Sequence, residues 1–228
     1  MSVQPVFFQE THAAPPRLAR LLPDDRFQSL VQEEDWAALP ERVRQRFSLK
    51  ARRGDSIVYR GVTTELKQNL AGLVLTQAAR IIGAPLPLDK RSEARPAIVA
   101  ITDDPDRDGQ VWTRLYARGA GFPQSVNSAK RFSGPTGLEE HVGGGVSMSL
   151  ILSVEGGALF FSSVDYFLTV FGVRIKFPEA FAPGRMVIGH HDLGAGRFAF
   201  TLTLTHALFG LMISQTTIFH DMTEADHD

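Results

Sequence analysis

The sequence of 228 residues contains no cysteine, which excludes disulfide bonds, thiolate nucleophiles and cysteine-based zinc sites. It also has no unbroken run of about 18 apolar residues, so no membrane-spanning helix is predicted. Its first residues, Met1-Ser2-Val3-Gln4-Pro5, lack the basic and then apolar stretches of a secretory signal. The absence of cysteine does not fix the compartment, but the other two absences predict a protein of the cytoplasm.

The chain also lacks a large net charge of either sign. The chain has 24 basic and 25 acidic residues, a formal net charge of −1, and so no overall field that would attract nucleic acid. One segment departs from this balance, because residues 42–53 contain six basic residues and no acid. That segment is either an anion-binding site or a solvated helix face with its exit loop.

Sequence motifs of known catalytic sites are absent too. The chain contains no G-x-S-x-G, no H-E-x-x-H and no phosphate-binding loop. Gly143-Gly144-Gly145 lies between two predicted strands, which is the wrong context for a dinucleotide-binding turn. No cofactor is therefore predicted.

The clearest pattern that is present is a strand hairpin within Gly137–Phe167. Five apolar residues fall on alternate positions, as in a strand with one buried face: Val146, Met148, Leu150, Leu152 and Val154. Glu155-Gly156-Gly157 then supplies residues that suit a turn, and a second apolar run follows.

The remaining pattern divides into a helical first part and a strand-rich second part. Prolines and weak periodicity predict a flexible arm over residues 1–23, followed by a single domain over 24–220 and a disordered acidic tail over 221–228. Leu39-Pro40-Glu41 predicts a helix start. An apolar stripe predicts one long amphipathic helix over 64–82, ended by Gly83 and Pro85.

The predicted fold is accordingly α+β. N-terminal helices precede a curved antiparallel β-meander of about eight strands that forms a partly closed barrel. Residues 97–219 are expected to make one antiparallel sheet in sequence order. The long helix is expected to pack onto it through Leu66, Leu70, Leu73 and Ile81.

The first candidate site pairs Arg114 with Glu140. Trp112, Arg114 and Tyr116 share one face of a predicted strand, so an inward tryptophan would bring the arginine inward with it. A buried charge requires a partner, and Glu140 is the acid best placed to provide it. Since Glu139 and Glu140 point to opposite faces, only one of them can face inward. The pair is either a structural ion pair or a ligand-binding or catalytic one.

Two further groups invite a functional interpretation. His190, His191, Asp192 and His220 fall near one end of the predicted sheet, but adjacent histidines on a strand point to opposite faces, so no metal site is expected. Phenylalanines are dense between residues 160 and 200. They either pack as an ordinary core or line a pocket for an apolar molecule.

Several short motifs, each weak alone, occur in an order that resembles a known family. They are Leu39-Pro40-x-x-Val43, Gly61, Leu86-Pro87, Trp112-Thr113-Arg114, Phe122-x-x-Ser125, Leu138–Gly143, Phe198-x-Phe200 and His206–Leu211. Over roughly residues 25–220 the chain resembles the bacterial domain of unknown function DUF4166. The resemblance implies no activity, but members occur alone or behind a nucleotide-binding domain similar to saccharopine dehydrogenase. Ala207 stands where relatives commonly have proline, and Phe47 where a histidine is expected.

The function predicted from the sequence is a non-catalytic module that binds a small apolar or amphipathic ligand through Trp112, Arg114, Tyr116 and Glu140. One alternative is an enzyme, or an accessory domain to a dehydrogenase, with Glu140 as general acid or base. Another is a protein–protein interaction module. The expected partners are the small apolar ligand and a nucleotide-binding, dehydrogenase-like protein, with neither nucleic acid nor a membrane span.

Overall fold

A computed structural model describes residues 21–83, 85–87 and 93–221. The predicted arm and tail therefore lie outside the described residues, except for 21–23 and Asp221.

Thirteen strands and three α-helices make up the described chain. The strands are β1 (Leu21–Pro23), β2 (Leu49–Ala51), β3 (Ile57–Gln68), β4 (Arg95–Asp104), β5 (Gly109–Tyr116), β6 (Gln124–Arg131), β7 (Glu139–Gly143), β8 (Val146–Glu155), β9 (Ala158–Val170), β10 (Val173–Lys176), β11 (Arg185–Gly194), β12 (Arg197–His206) and β13 (Gly210–His220). The helices are α1 (Glu33–Ala38), α2 (Glu41–Phe47) and α3 (Leu70–Ala78), with short 3-10 turns at Gln28–Leu30, Ala79–Ile82, Pro105–Arg107 and Glu179–Phe181.

Ten of the strands close into an antiparallel barrel, and β1 and β2 form a separate two-stranded sheet, so the protein is mostly β, with 55% of the described residues in strands. The strand order around the barrel is β9-β11-β12-β13-β3-β4-β5-β6-β7-β8, and β8 pairs with β9 to close it. Strand β10 pairs with the C-terminal part of β9 as an extra strand. The predicted antiparallel meander is confirmed, but β3 joins it between β13 and β4 and completes the closure. Closure removes the exposed edges that a partly open sheet would have.

The predicted hairpin is confirmed in β8 and β9. Glu155 pairs with Ala158 across a turn in which Gly156 and Gly157 have φ values of 56° and 74°. Glycine adopts this left-handed conformation without strain, which is why the chain reverses here.

The predicted long helix over 64–82 is wrong. Residues 57–68 continue as β3, and only nine residues, Leu70–Ala78, form α3 before the 3-10 turn Ala79–Ile82. The β-branched run Val62-Thr63-Thr64 suits a strand, and the Asn69 side chain accepts a hydrogen bond from the Gly72 backbone N–H at 2.8 Å, which starts the helix. Of the residues expected to pack onto the sheet, Leu66 is buried in β3, whereas Leu70 and Ile81 are 78% and 90% exposed.

Helix α3 and the turn after it form a lid across one end of the barrel, called here the upper end, where β3, β5, β7, β9 and β12 finish. Gly72 lies so close to Met212 of β13 that a Cβ would meet the Met212 carbonyl oxygen. Ile82, at the other end of the lid, lies against Gly143 and Gly144 beside the β7–β8 turn. The lid thus crosses from one wall of the barrel to the other.

The lower end is closed by residues 21–51. Helix α1 contacts β8 and α2 contacts β11. Phe27 and Phe47 pack edge-on with ring centroids 5.3 Å apart, and both rings also contact Phe161 of β9. Residues 21–51 therefore fill the lower part of the barrel as a solid core.

The basic segment 42–53 meets its acids from distant parts of the chain. Arg46 binds Asp192 at 3.2 Å and Asp221 at 2.7 Å, and its guanidinium carbon lies 4.2 Å from the Phe198 ring centroid. Lys50 lies 3.4 Å from Asp103. These ion pairs anchor residues 42–53 to the barrel. Much of the basic segment therefore has a structural role.

Candidate functional site

An internal cavity of about 320 Å³ lies inside the barrel between the lid and the core below. Small-molecule pockets commonly measure about 300–1,000 Å³, so one compact ligand would fit. The lid contributes Leu75, Ala78, Ala79 and Ile82 to its lining. The barrel wall contributes mostly apolar side chains, among them Val99, Val126, Met148, Phe161, Ile188, Phe200, Leu202 and Leu204.

A charged cluster interrupts this apolar lining on the wall made by β5, β6 and β7. Glu140 Oε1 accepts a hydrogen bond from Ser128 Oγ at 2.7 Å and lies 3.1 Å from Lys130 Nζ. Arg114 Nη2 lies 3.6 Å from the same oxygen, and Arg114 Nη1 donates to Ser128 Oγ at 3.0 Å. Strand register explains the grouping, because Lys130 pairs with Glu140 while Ser128 pairs with Trp112, two residues before Arg114. Two cations and one carboxylate therefore share the wall of an apolar cavity.

Burial and mutual attraction set the protonation of this cluster. Burial alone would raise the pKa of Glu140, but Lys130, Arg114 and Ser128 outweigh it and hold the pKa at about 2. Burial lowers the pKa of Lys130 and neighbouring Arg114 lowers it further, against the attraction of Glu140. Glu140 is accordingly a carboxylate near neutral pH.

The aromatic candidates also line the cavity. Lys130 Nζ lies 4.6 Å from the centroid of the Trp112 ring, close enough for a cation–π interaction, and Trp112 Nε1 donates to Gln110 Oε1 at 3.3 Å. Burial raises the pKa of the Tyr116 hydroxyl, so Tyr116 is neutral. Its phenol places a polar group in the upper part of the lining.

All four residues singled out from the sequence, Trp112, Arg114, Tyr116 and Glu140, thus line one cavity. Glu139 points away from it and binds Arg174 of β10 and, more distantly, His141. Sequence reasoning missed Lys130 and Ser128. They share a face of β6 with the buried Val126, so alternation could have grouped them, although it does not show which face turns inward.

The histidines are not brought together. The His190 ring is buried among Phe47, Phe198 and Phe200, with centroid distances of 4.8–5.1 Å, and neither ring nitrogen has a hydrogen-bond partner among the described residues. His191 lies on the other face, beside Phe160 and Thr201. Over residues 21–83, 85–87 and 93–221 no group of three potential metal ligands is found.

The phenylalanines between 160 and 200 divide between cavity, core and surface. Phe161, Phe177, Phe181 and Phe200 line the cavity, and Phe198 is fully buried in the core. Phe181 also exposes 77% of its surface, so it marks the mouth of the cavity at the upper end.

The described residues contain no helix with the length and apolar character that spanning a membrane requires.

A comparison with protein families places the chain. The family model described as a domain of unknown function, DUF4166, matches residues 39–219, and the chain belongs to that family. Comparisons with curated proteins and with solved structures each found no match.

Proposed function

We propose that this DUF4166 domain is a non-catalytic binding module whose barrel takes up one small, apolar or amphipathic molecule. The observation that carries the proposal is the internal cavity, whose lining is mostly apolar and whose charged side chains all lie on a single wall. A ligand with an apolar body and one polar group matches that division, because apolar surface gains free energy when it leaves water and each polar group finds a partner.

The protonation of Glu140 argues against an acid–base enzyme. A general acid or base works best with a pKa near the working pH. With a pKa of about 2, Glu140 is an ineffective base and does not carry a proton to donate near neutrality. Its hydrogen bond with Ser128 and its ion pair with Lys130 hold the carboxylate in place, which suits a charged group that orients a bound ligand.

Two expectations rest on the sequence alone. A nucleotide-binding, dehydrogenase-like partner is the companion that the family resemblance suggests. A cytoplasmic location stays a prediction in the same way.

Filling the cavity should abolish binding. Leu202 lines the cavity from β12, so we expect Leu202→Trp to occupy the space and to lower the affinity for the amphipathic fluorophore anilinonaphthalene sulfonate at least tenfold. Fluorescence enhancement on titration measures this affinity.

Ile151 offers a matched control, because it lies on β8 outside the barrel and is exposed. Ile151→Trp adds the same indole on the outer surface and should leave the affinity unchanged. Equal binding by wild type and both variants would place the fluorophore outside the cavity and contradict the proposal.

A further inference from the structure

We propose that the ligand carries a carboxylate, which Arg114 and Lys130 bind while its apolar body fills the space beneath the lid. This inference rests on the proposed function and adds the chemical class of the ligand.

The charges of the lining do not balance. Among the described residues that line the cavity, Tyr116 and Tyr166 are neutral because burial raises their pKa. The remaining ionisable side chains are Arg114, Lys130 and Glu140, which sum to one positive charge when all three are ionised. A charge in an apolar enclosure is costly unless an opposite charge or hydrogen-bonding group compensates it. A ligand carboxylate supplies the missing negative charge and would also favour the protonated form of Lys130.

Geometry identifies Arg114 as the main contact. Its side chain is 16% exposed, compared with 3% for both Lys130 and Glu140, so its guanidinium is the part of the cluster that a ligand reaches most easily. Its Nη2 atom lies 3.6 Å from Glu140, beyond ordinary hydrogen-bond length, so a ligand oxygen at hydrogen-bond distance would approach it more closely than Glu140 does. A guanidinium matches the planar shape of a carboxylate with two parallel N–H groups.

The apolar surroundings set the orientation of the ligand. Above the cluster, the lid contributes Leu75, Ala78 and Ile82, and the wall contributes Leu202 and Leu204. An acid with its head at Arg114 would place its hydrocarbon against these side chains. Linear or branched alkyl carboxylates are therefore the favoured class.

The test compares two ligands that differ only in the head group. Dodecanoate should displace anilinonaphthalene sulfonate from the wild-type protein about tenfold to a hundredfold more effectively than dodecanol. If dodecanol competes equally well, the head group inference is wrong and the proposed function stands. If neither amphiphile displaces the fluorophore or binds by calorimetry, both fail.

Variants assign the preference to the cluster. Arg114→Met should remove most of the preference for dodecanoate while dodecanol binding persists, and Arg114→Lys, which keeps the charge, should retain part of it. Arg60 is an exposed arginine on β3, so Arg60→Met is the matched control and should behave as wild type. An undiminished preference in folded Arg114→Met, judged by circular dichroism, would overturn the assignment, as would an equal loss in Arg60→Met.

A separate observation concerns the outside of the upper end. The upper rim, defined as residues 70–83, 117–123, 171–185 and 207–211, carries large apolar side chains that are almost fully exposed. They are Ile81, Phe122, Phe171, Phe181 and Leu208. Single exposed apolar residues are common, but this many on the loop tips of one end marks a surface that contacts another apolar phase.

The charged residues of the upper rim indicate what kind of apolar phase this surface contacts. These four segments contain five basic residues, Arg80, Arg118, Arg174, Lys176 and Arg185, but only one acid, Glu179. Arg174 and Lys176 pair with Glu139 and Asp165 on the barrel wall, so the five bases are balanced by three acids and the positive excess is two. Arg80 bonds to Gln77 within the lid. Apolar tips among basic side chains are the combination that binds anionic bilayer surfaces.

We infer that the upper rim docks onto an anionic lipid bilayer. The mouth of the cavity marked by Phe181 lies in the same rim, so docking would bring it to the lipid surface. The inference depends on the exposed rim and does not require the carboxylate proposal.

Vesicle co-sedimentation tests the docking. The protein should sediment with vesicles of phosphatidylcholine and phosphatidylglycerol, and much less with phosphatidylcholine alone. The double variant Phe171→Ser with Leu208→Ser should lose about tenfold or more in vesicle affinity, since each change removes an inserted apolar side chain.

The control changes two exposed apolar residues of the barrel wall, Ile151→Ser and Val164→Ser, and this double variant should bind vesicles as wild type does. Absence of sedimentation, or equal sedimentation of both double variants, would refute docking. So would light scattering that shows a dimer abolished by the rim variant, because the rim would then be an interface between two copies of this chain.

Discussion

Replacing Glu140 with glutamine is expected to lower the free energy of unfolding by about 3–5 kcal/mol at neutral pH. The amide has nearly the same shape, but it leaves Lys130 and Arg114 buried without the carboxylate that lies 3.1 Å and 3.6 Å from them. Urea denaturation measures the loss. The contribution of Glu140 should be fully present above pH 4.5, the pKa of glutamate in the unfolded chain, and be lost as the pH falls toward the folded pKa of about 2.

Double-mutant cycles separate the two partners. Lys130→Met with Glu140→Gln should destabilise the protein by less than the sum of the single changes, because the second substitution removes the stranded ammonium. The same cycle with Arg114→Met should show a smaller coupling, since the contact is longer and Arg114 is more exposed. Additive losses in both cycles would mean that the three side chains do not form a coupled cluster.

Acid should destabilise the protein through His190. Burial, with a smaller repulsion from Arg46, lowers the pKa of His190 from 6.5 to about 3. Between these values the unfolded state binds a proton that the folded state does not bind, so the stability present above pH 6.5 is lost as the pH falls. The loss should reach roughly 3 kcal/mol by about pH 4.5.

His190→Phe should flatten this pH dependence. The ring stacks on Phe198 with a centroid distance of 4.9 Å. Phenylalanine keeps that contact and removes two buried ring nitrogens that find no hydrogen-bond partner in the part of the chain that the structure describes. His191→Phe, on the opposite face and less buried, should keep most of the wild-type slope. Urea unfolding of the three proteins from about pH 7 to 4.5 measures the slopes, and an unchanged slope in His190→Phe would show that the histidine does not control it.

The strands were predictable because alternation is a local signal. The run from Val146 to Val154 and the run from Phe198 to Leu204 each show a period of two, and both are strands of the barrel. Closure was not predictable, because it depends on how β13 meets β3, residues more than one hundred positions apart. The helical spacing of apolar residues over 64–82 led to the wrong prediction of one long helix. A strand followed directly by a short helix can produce the same apolar stripe.

The candidate site was predictable in the same limited way. Alternation put Trp112, Arg114 and Tyr116 on one face, and the need for a partner suggested Glu140. Lys130 and Ser128 were missed because a strand pattern gives two faces without saying which one turns inward. The register of β5, β6 and β7 decides it by bringing Lys130 opposite Glu140.

Native mass spectrometry of the protein equilibrated with dodecanoate tests the central claim, that the barrel interior holds one amphipathic molecule, most directly. Wild type and Ile151→Trp should each retain one dodecanoate per chain, and Leu202→Trp, whose indole occupies the cavity, should retain none. The account would be contradicted by a wild-type spectrum that shows only the bare polypeptide, or by equal retention in all three proteins.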